Sequence, residues 1–196
     1  MIKRDELIEF IYETIGKELL EKAIKKDERI NGVQFLGEND VEKIAIGVSL
    51  NEEFLQKAIK WGSNFCIFHH GLDPETYKSR FPLYSQKRLS LIFKNEITIM
   101  AFHYALDAHA EIGNNVTIIK KLGAKVGEPL DDEWGYTATF DTPQDVHELA
   151  HKCRDLFDHE VFVVEGDKEK VKKIGVVSGG AKPYAETLAE LEAKGV

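Results

Sequence analysis

Two adjacent histidines, His69 and His70, followed by Gly71, close the apolar run Phe65-Cys66-Ile67-Phe68. A second apolar run, Ile97 to Phe102, ends in His103, with Asp107 four residues further on and then His109. Imidazole is the commonest metal ligand among side chains, and a glycine after the doublet lets the backbone turn sharply. Imidazole nitrogen combined with carboxylate oxygen suits zinc or a transition metal, whereas an all-oxygen set would suit calcium or magnesium. The chemistry these residue types point to is metal binding. It requires that two separate runs deliver His69, His70, His103 and Asp107 to one place.

The elements that could do so are readable from pattern. Continuous apolar runs of this length, bounded by glycines, suit strands inside a parallel sheet covered on both faces. In such sheets ligands collect outside the carboxyl ends of the strands, where these histidines would emerge. Lys43 to Val48 reads as a further buried strand. After it, Ser49 and Glu52 have capping-box spacing, and Phe54, Leu55, Ala58 and Ile59 lie on one helix face closed by Gly62. Strand, helix, strand is a βαβ unit, which makes its two strands parallel. Pro82 opens a helix through about Lys94, with Leu83, Leu91 and Ile92 inward and Asn95 at its end. Asp73 to Phe81 reads as a polar loop beside the same edge.

Upstream, Leu7, Ile8, Ile11, Ile15 and Leu19 recur at helical spacing from residue 3 to about 26, continued by Ala23 and Ile24 and divided at Gly16. Asn31-Gly32-Val33-Gln34 is a turn into a short strand, and Gly37 to Asp40 a further turn. Downstream of the turn Gly113-Asn114-Asn115, the residues Val116, Ile118, Ile119 and Leu122 form a helix closed by Gly123. Gly127 to Asp132 reads as an acidic, turn-rich bridge, so the domain expectation is 1–126 and 127–196. Beyond it come a strand from Tyr136 to Phe140, a helix capped by Thr142 and opened by Pro143, and strands at Val161–Val164 and Lys173–Val177. A last helix carries Tyr184, Leu188 and Leu191. Two weaker sites lie here. His147 and His151 have chelating spacing but lack the glutamate of an H-E-x-x-H motif. Ser178-Gly179-Gly180, with Lys182 nearby, is a glycine turn of the kind that cradles phosphate, without a fuller fingerprint.

The chain has 196 residues, 43% hydrophobic and 31% charged, enough apolar material for a real core. A formal charge of −8 argues against binding nucleic acid or an anionic membrane surface. No apolar run approaches the length of a membrane span, and no signal peptide is evident. Two cysteines, Cys66 in a strand and Cys153 in a helix, read as reduced, buried thiols, which suggests the cytoplasm.

Taken together, Asn31-Gly32-Val33-Gln34, His69-His70-Gly71, His103-x-x-x-Asp107-Ala108-His109, Gly113-Asn114-Asn115, Lys121-Leu122-Gly123 and Ser178-Gly179-Gly180 resemble the NIF-three-like dinuclear-metal proteins. These are also described as GTP cyclohydrolase I type 2 homologues. The resemblance covers nearly the whole chain. It implies two interlocked α/β domains, the first with a mainly parallel sheet flanked by helices, and a two-metal centre of zinc, iron or manganese. It makes His69, His70 and Asp107 metal ligands and places His103 beside them, contacting substrate or moving a proton. It further implies a homohexamer and a metal-dependent hydrolase acting on a nucleotide-like small molecule, or else a non-enzymatic metal-binding scaffold or a vestigial site. The family's G-H-x-x-x-E ligand segment near the C-terminus has no counterpart before Val196, so the chain reads as lacking that portion.

Overall fold

A computed structural model describes residues 1–27, 31–73, 80–130, 134–164, 166–180 and 185–196. The chain divides into two compact units, Met1–Leu106 and Asp107–Val196. Both are mixed α/β.

The first unit runs β1 (Ile2–Lys3), α1 (Arg4–Ile15), α2 (Lys17–Lys26), β2 (Gly32–Phe35), β3 (Asp40–Val41), β4 (Ile44–Ser49), α3 (Glu52–Trp61), β5 (Phe65–His70), α4 (Leu83–Lys94) and β6 (Thr98–Ala101). The short helix α5 (Tyr104–Ala108) crosses into the second unit. A four-stranded sheet has the order β2-β6-β5-β4. Strands β4 and β5 are parallel, as the crossover argument requires, β6 is parallel to β5, and β2 lies antiparallel against β6. Strand β1 pairs separately with β3.

The central strands are the apolar runs. All four residues of β6 are buried, as are Phe65, Cys66 and Phe68 of β5. Cys66, Phe68 and Ile99 pack with Leu55 and Ala58 of α3 and Ile92 of α4. Full burial of each large side chain contributes roughly 2 kcal/mol. Gly62 closes α3 with a left-handed backbone, φ 84° and ψ 27°.

Several local expectations are corrected. Strand β4 is a sheet edge and is not buried: Ile46 is 74% exposed and Val48 68%. The cap of α3 is Asn51, whose side-chain oxygen accepts the Phe54 amide, so Ser49 and Glu52 form no capping box. Leu83 and Ile24 face solvent, and Leu20 is buried where Leu19 is only partly so. Within the polar loop expected from Asp73 to Phe81, residues 74–79 lie outside the described residues.

The second unit contains α6 (Asn114–Lys121), β7 (Lys125–Leu130), β8 (Gly135–Asp145), α7 (Val146–Phe157), β9 (Lys170–Val177) and α8 (Ala185–Ala193). Its sheet is antiparallel in the order β7-β8-β9. Val116, Ile119 and Leu122 of α6 pack with Tyr136, Ala138 and Phe140 of β8. The bridge expected at Gly127–Asp132 is instead, through Leu130, part of β7. Proline is tolerated there because β7 is an edge strand whose register shifts between Val126 and Pro129. Thr142 and Pro143 still belong to β8, and Asp145 caps α7 by accepting the His147 and Glu148 amides. No strand forms at Val161–Val164, where Phe162 and Val164 are exposed. Cys153 is half-buried. Lys182 and Tyr184 lie outside the described residues, and Leu188 is exposed.

Candidate metal centre

The carboxyl ends of β5 and β6 bring His69, His70 and His103 together. Ligand-capable atoms of the three lie within 4.8 Å of one another, and all three side chains are half-buried. Ring centroids are 4.5 Å apart for His69–His70, 4.8 Å for His69–His103 and 5.3 Å for His70–His103. Imidazole nitrogens sharing one tetrahedral zinc ion lie about 3.4 Å apart, given zinc–nitrogen bonds near 2.0–2.1 Å. The rings would have to draw together by about 1 Å to share one ion, and their spacing also suits ions divided among them.

Each ring is held from behind through Nδ1. His69 Nδ1 lies 3.0 Å from the Phe102 carbonyl oxygen, which can only accept, so Nδ1 carries the hydrogen. His70 Nδ1 is 3.1 Å from Ser49 Oγ. His103 Nδ1 is 2.8 Å from Asp27 Oδ2, a carboxylate whose side chain is only 5% exposed. The carbonyl and the carboxylate fix the tautomers of His69 and His103, placing their lone pairs on Nε2, and the Ser49 hydroxyl, which can donate or accept, orients His70. Donor chemistry and support both fit a divalent transition metal.

The Asn31-to-Gln34 segment explains how the two histidine-bearing ends are held. Asn31 Oδ1 accepts the backbone amides of His103 and Ala105, while its Nδ2 donates to Asp27 Oδ2. Gln34 donates through Nε2 to the Leu72 carbonyl and accepts the Leu72 amide on Oε1. Gly71 passes so close that a Cβ there would overlap Gln34 Oε1 and Ala101 Cβ. That contact, and not a special backbone angle, requires glycine after the doublet.

Asp107 lies in the second unit, 3% exposed. Its Oδ1 accepts from Asn114 Nδ2 at 2.9 Å and Ser178 Oγ at 2.6 Å. Asn115 Nδ2 donates to the Asp107 and Trp134 carbonyls, and its Oδ1 accepts the Ser178 amide. This is the place of the Ser178-Gly179-Gly180 segment in the fold: its serine holds a carboxylate. His109 Nδ1 accepts the Glu111 and Ile112 amides and so serves a local turn. His147 and His151 are exposed on α7 and belong to no group of three metal-competent side chains among the described residues. Cys66, although on β5, is no ligand candidate: burial pushes its thiol up to about 11, which keeps it protonated.

Sequence reasoning missed Asp27, Ser49 and the clamping role of Gln34. Asp27 had one local signal. It ends α2, where the helix dipole disfavours a carboxylate.

The comparisons agree with this architecture. A "GTP cyclohydrolase 1 type 2 homolog" of Pyrococcus horikoshii is 32% identical over 182 residues, covering 90% of this chain and 70% of the relative. Among solved structures, protein ybgI, of unknown function, superposes with TM-score 0.83 at 26% identity, covering 97% of this chain and 75% of that one. A Thermus thermophilus protein follows at TM-score 0.78 and 25% identity, with 99% and 84% covered. The family model described as Duf34/NIF3 (NGG1p interacting factor 3) matches residues 2–195, and the chain belongs to that family.

Proposed function

We propose that this chain is a divalent-metal-binding protein whose centre serves a hydrolase acting on a nucleotide-like substrate. The observation that carries the reading is the trio His69, His70 and His103, half-buried and each held through Nδ1. His69, His70 and Asp107 would hold two ions of zinc, iron or manganese. When bound, such ions lower the pKa of coordinated water and polarise a phosphoryl or carbonyl oxygen. The protein's own contribution is to fix ring orientation. His69 is held by the Phe102 carbonyl, His70 by Ser49 and Asp107 by Asn114 and Ser178. His103, backed by Asp27, can accept a proton at Nε2 or serve as a further ligand. Relatives described as "GTP cyclohydrolase 1 type 2 homolog" support a guanine nucleotide as the first substrate to try.

A homo-oligomer, hexameric by family resemblance, and a cytoplasmic location complete the proposal. The exposed apolar face of β4, with Ile46 and Val48, is consistent with assembly. No helix among the described residues is long and apolar enough to cross a membrane.

The test combines elemental analysis of the purified chain with hydrolysis of a nucleoside triphosphate panel. Divalent metal should copurify, and His70→Ala and Asp107→Ala should lose both metal and turnover. Metal without turnover on any substrate favours a binding scaffold. Absence of metal, with none taken up on addition of zinc, rejects the centre.

A further inference from the structure

We infer that Asp27 is a positioning residue for the metal centre, fixing through His103 the tautomer and donor strength of one imidazole. The inference rests on the metal-centre reading and adds a residue from the helical segment, where nothing in the sequence pattern suggested chemistry.

Four observations converge. The Asp27 side chain is almost fully buried, and its Oδ2 accepts from three donors: His103 Nδ1 at 2.8 Å, the Tyr104 amide at 2.9 Å and Asn31 Nδ2 at 3.0 Å. Asp27 stands at the C-terminal end of α2, its amide bonded to the Ala23 carbonyl. There the partial negative charge of the helix end opposes a carboxylate. Its placement is thus contrary to helix stability and is offset by the three donors that meet it. His103 is gripped at two points, its ring by Asp27 and its backbone amide by Asn31 Oδ1, and Asn31 is itself bonded to Asp27. Finally, the three rings have graded partners: a carbonyl behind His69, a hydroxyl behind His70 and a carboxylate behind His103. Only the last sets a charged acceptor behind the ring.

A purely structural Asp27 would tie the segment after β6 to the end of α2. Asp27→Asn separates the two roles. The amide oxygen is the same shape and can still accept from Tyr104 and Asn31. It also accepts the His103 Nδ1 hydrogen, since all three donors meet the one oxygen, but it brings no charge.

The experiment titrates cobalt(II) chloride into the intact chain and into Asp27→Asn, following binding by calorimetry and the visible d–d spectrum, with far-ultraviolet circular dichroism as the fold control. Binding to Asp27→Asn should be 10- to 100-fold weaker, with shifted d–d bands and unchanged circular dichroism. Equal affinity and an identical spectrum would overturn the inference and leave the metal centre standing. Failure of the unsubstituted chain to bind cobalt would overturn both. Should Asp27→Asn not fold, two-bond proton–nitrogen correlation spectra of the unsubstituted chain decide. His103 must carry its proton on Nδ1 at pH 8, and an Nε2-protonated ring sinks the inference.

Discussion

His103 and Asp107 are four residues apart in the chain, and each neighbourhood is built on a buried asparagine, Asn31 in one unit and Asn115 in the other. The two asparagines work differently. Asn31 takes two backbone amides on its oxygen and gives its own amide to a carboxylate, Asp27. Asn115 gives its amide to two backbone carbonyls and takes the Ser178 amide, while the Asp107 carboxylate is held separately by Asn114 and the Ser178 hydroxyl. In the first region backbone anchorage and ring orientation share one network. In the second they are divided. The first should therefore lose fold and site together, and the second should allow either to be lost alone.

Asn115→Ala is expected to have the largest effect. It removes the donor to the Asp107 and Trp134 carbonyls and the acceptor of the Ser178 amide, at a cost of about 3 kcal/mol. Denaturant unfolding followed by Trp134 fluorescence, with Trp61→Phe as background, reports it, and an unmoved transition would break the comparison. Asn31→Ala should cost about 2 kcal/mol, because the His103 and Ala105 amides lose their acceptor. Trp61 fluorescence in a Trp134→Phe background reads that loss. The same variant should also bind zinc about tenfold more weakly, since His103 loses one of its two holds. Unaltered zinc affinity would show that the first region is as divided as the second. Ser178→Ala should cost only about 1 kcal/mol, because Asn114 still holds Asp107 Oδ1.

The smallest effect is a pH response confined to the second unit. The Glu148 and His147 amides bonded to Asp145 hold its carboxyl below the ordinary carboxylate range. A lowered folded-state pKa stabilises the helix above the ordinary value, near pH 4, and that stabilisation is lost as pH falls further. Hydrogen exchange at the start of α7 should accelerate below about pH 4, and Asp145→Asn should flatten the response.

Much of the first unit was legible because β5 and β6 are continuous apolar runs, which only a doubly covered strand explains. Their histidines then followed from strand direction. Strand β4 was misread for a physical reason. Its alternation is real, but the large residues Ile44, Ile46 and Val48 face out, and Ala45 and Gly47 face in, where a Cβ on Gly47 would strike the Phe54 ring. Period two identifies a face without saying which one is buried. Segment 127–130 was misread because Gly127 and Pro129 are turn formers that an edge strand also accepts. Asp27 offered only its place at a helix end, because its partner His103 is 76 residues away, beyond the reach of any periodicity.

Gln34 carries on its side chain the same amide group that the main chain uses between strands, and it offers both halves of it to Leu72. The sheet thereby borrows one more rung past the last paired residue of β5. The doublet consequently sits inside a stitched margin, guarded against fraying without the cost of another strand. Replacing glutamine by glutamate would keep one stitch and turn the other into a clash of two acceptors, loosening the hem just where the imidazoles leave it.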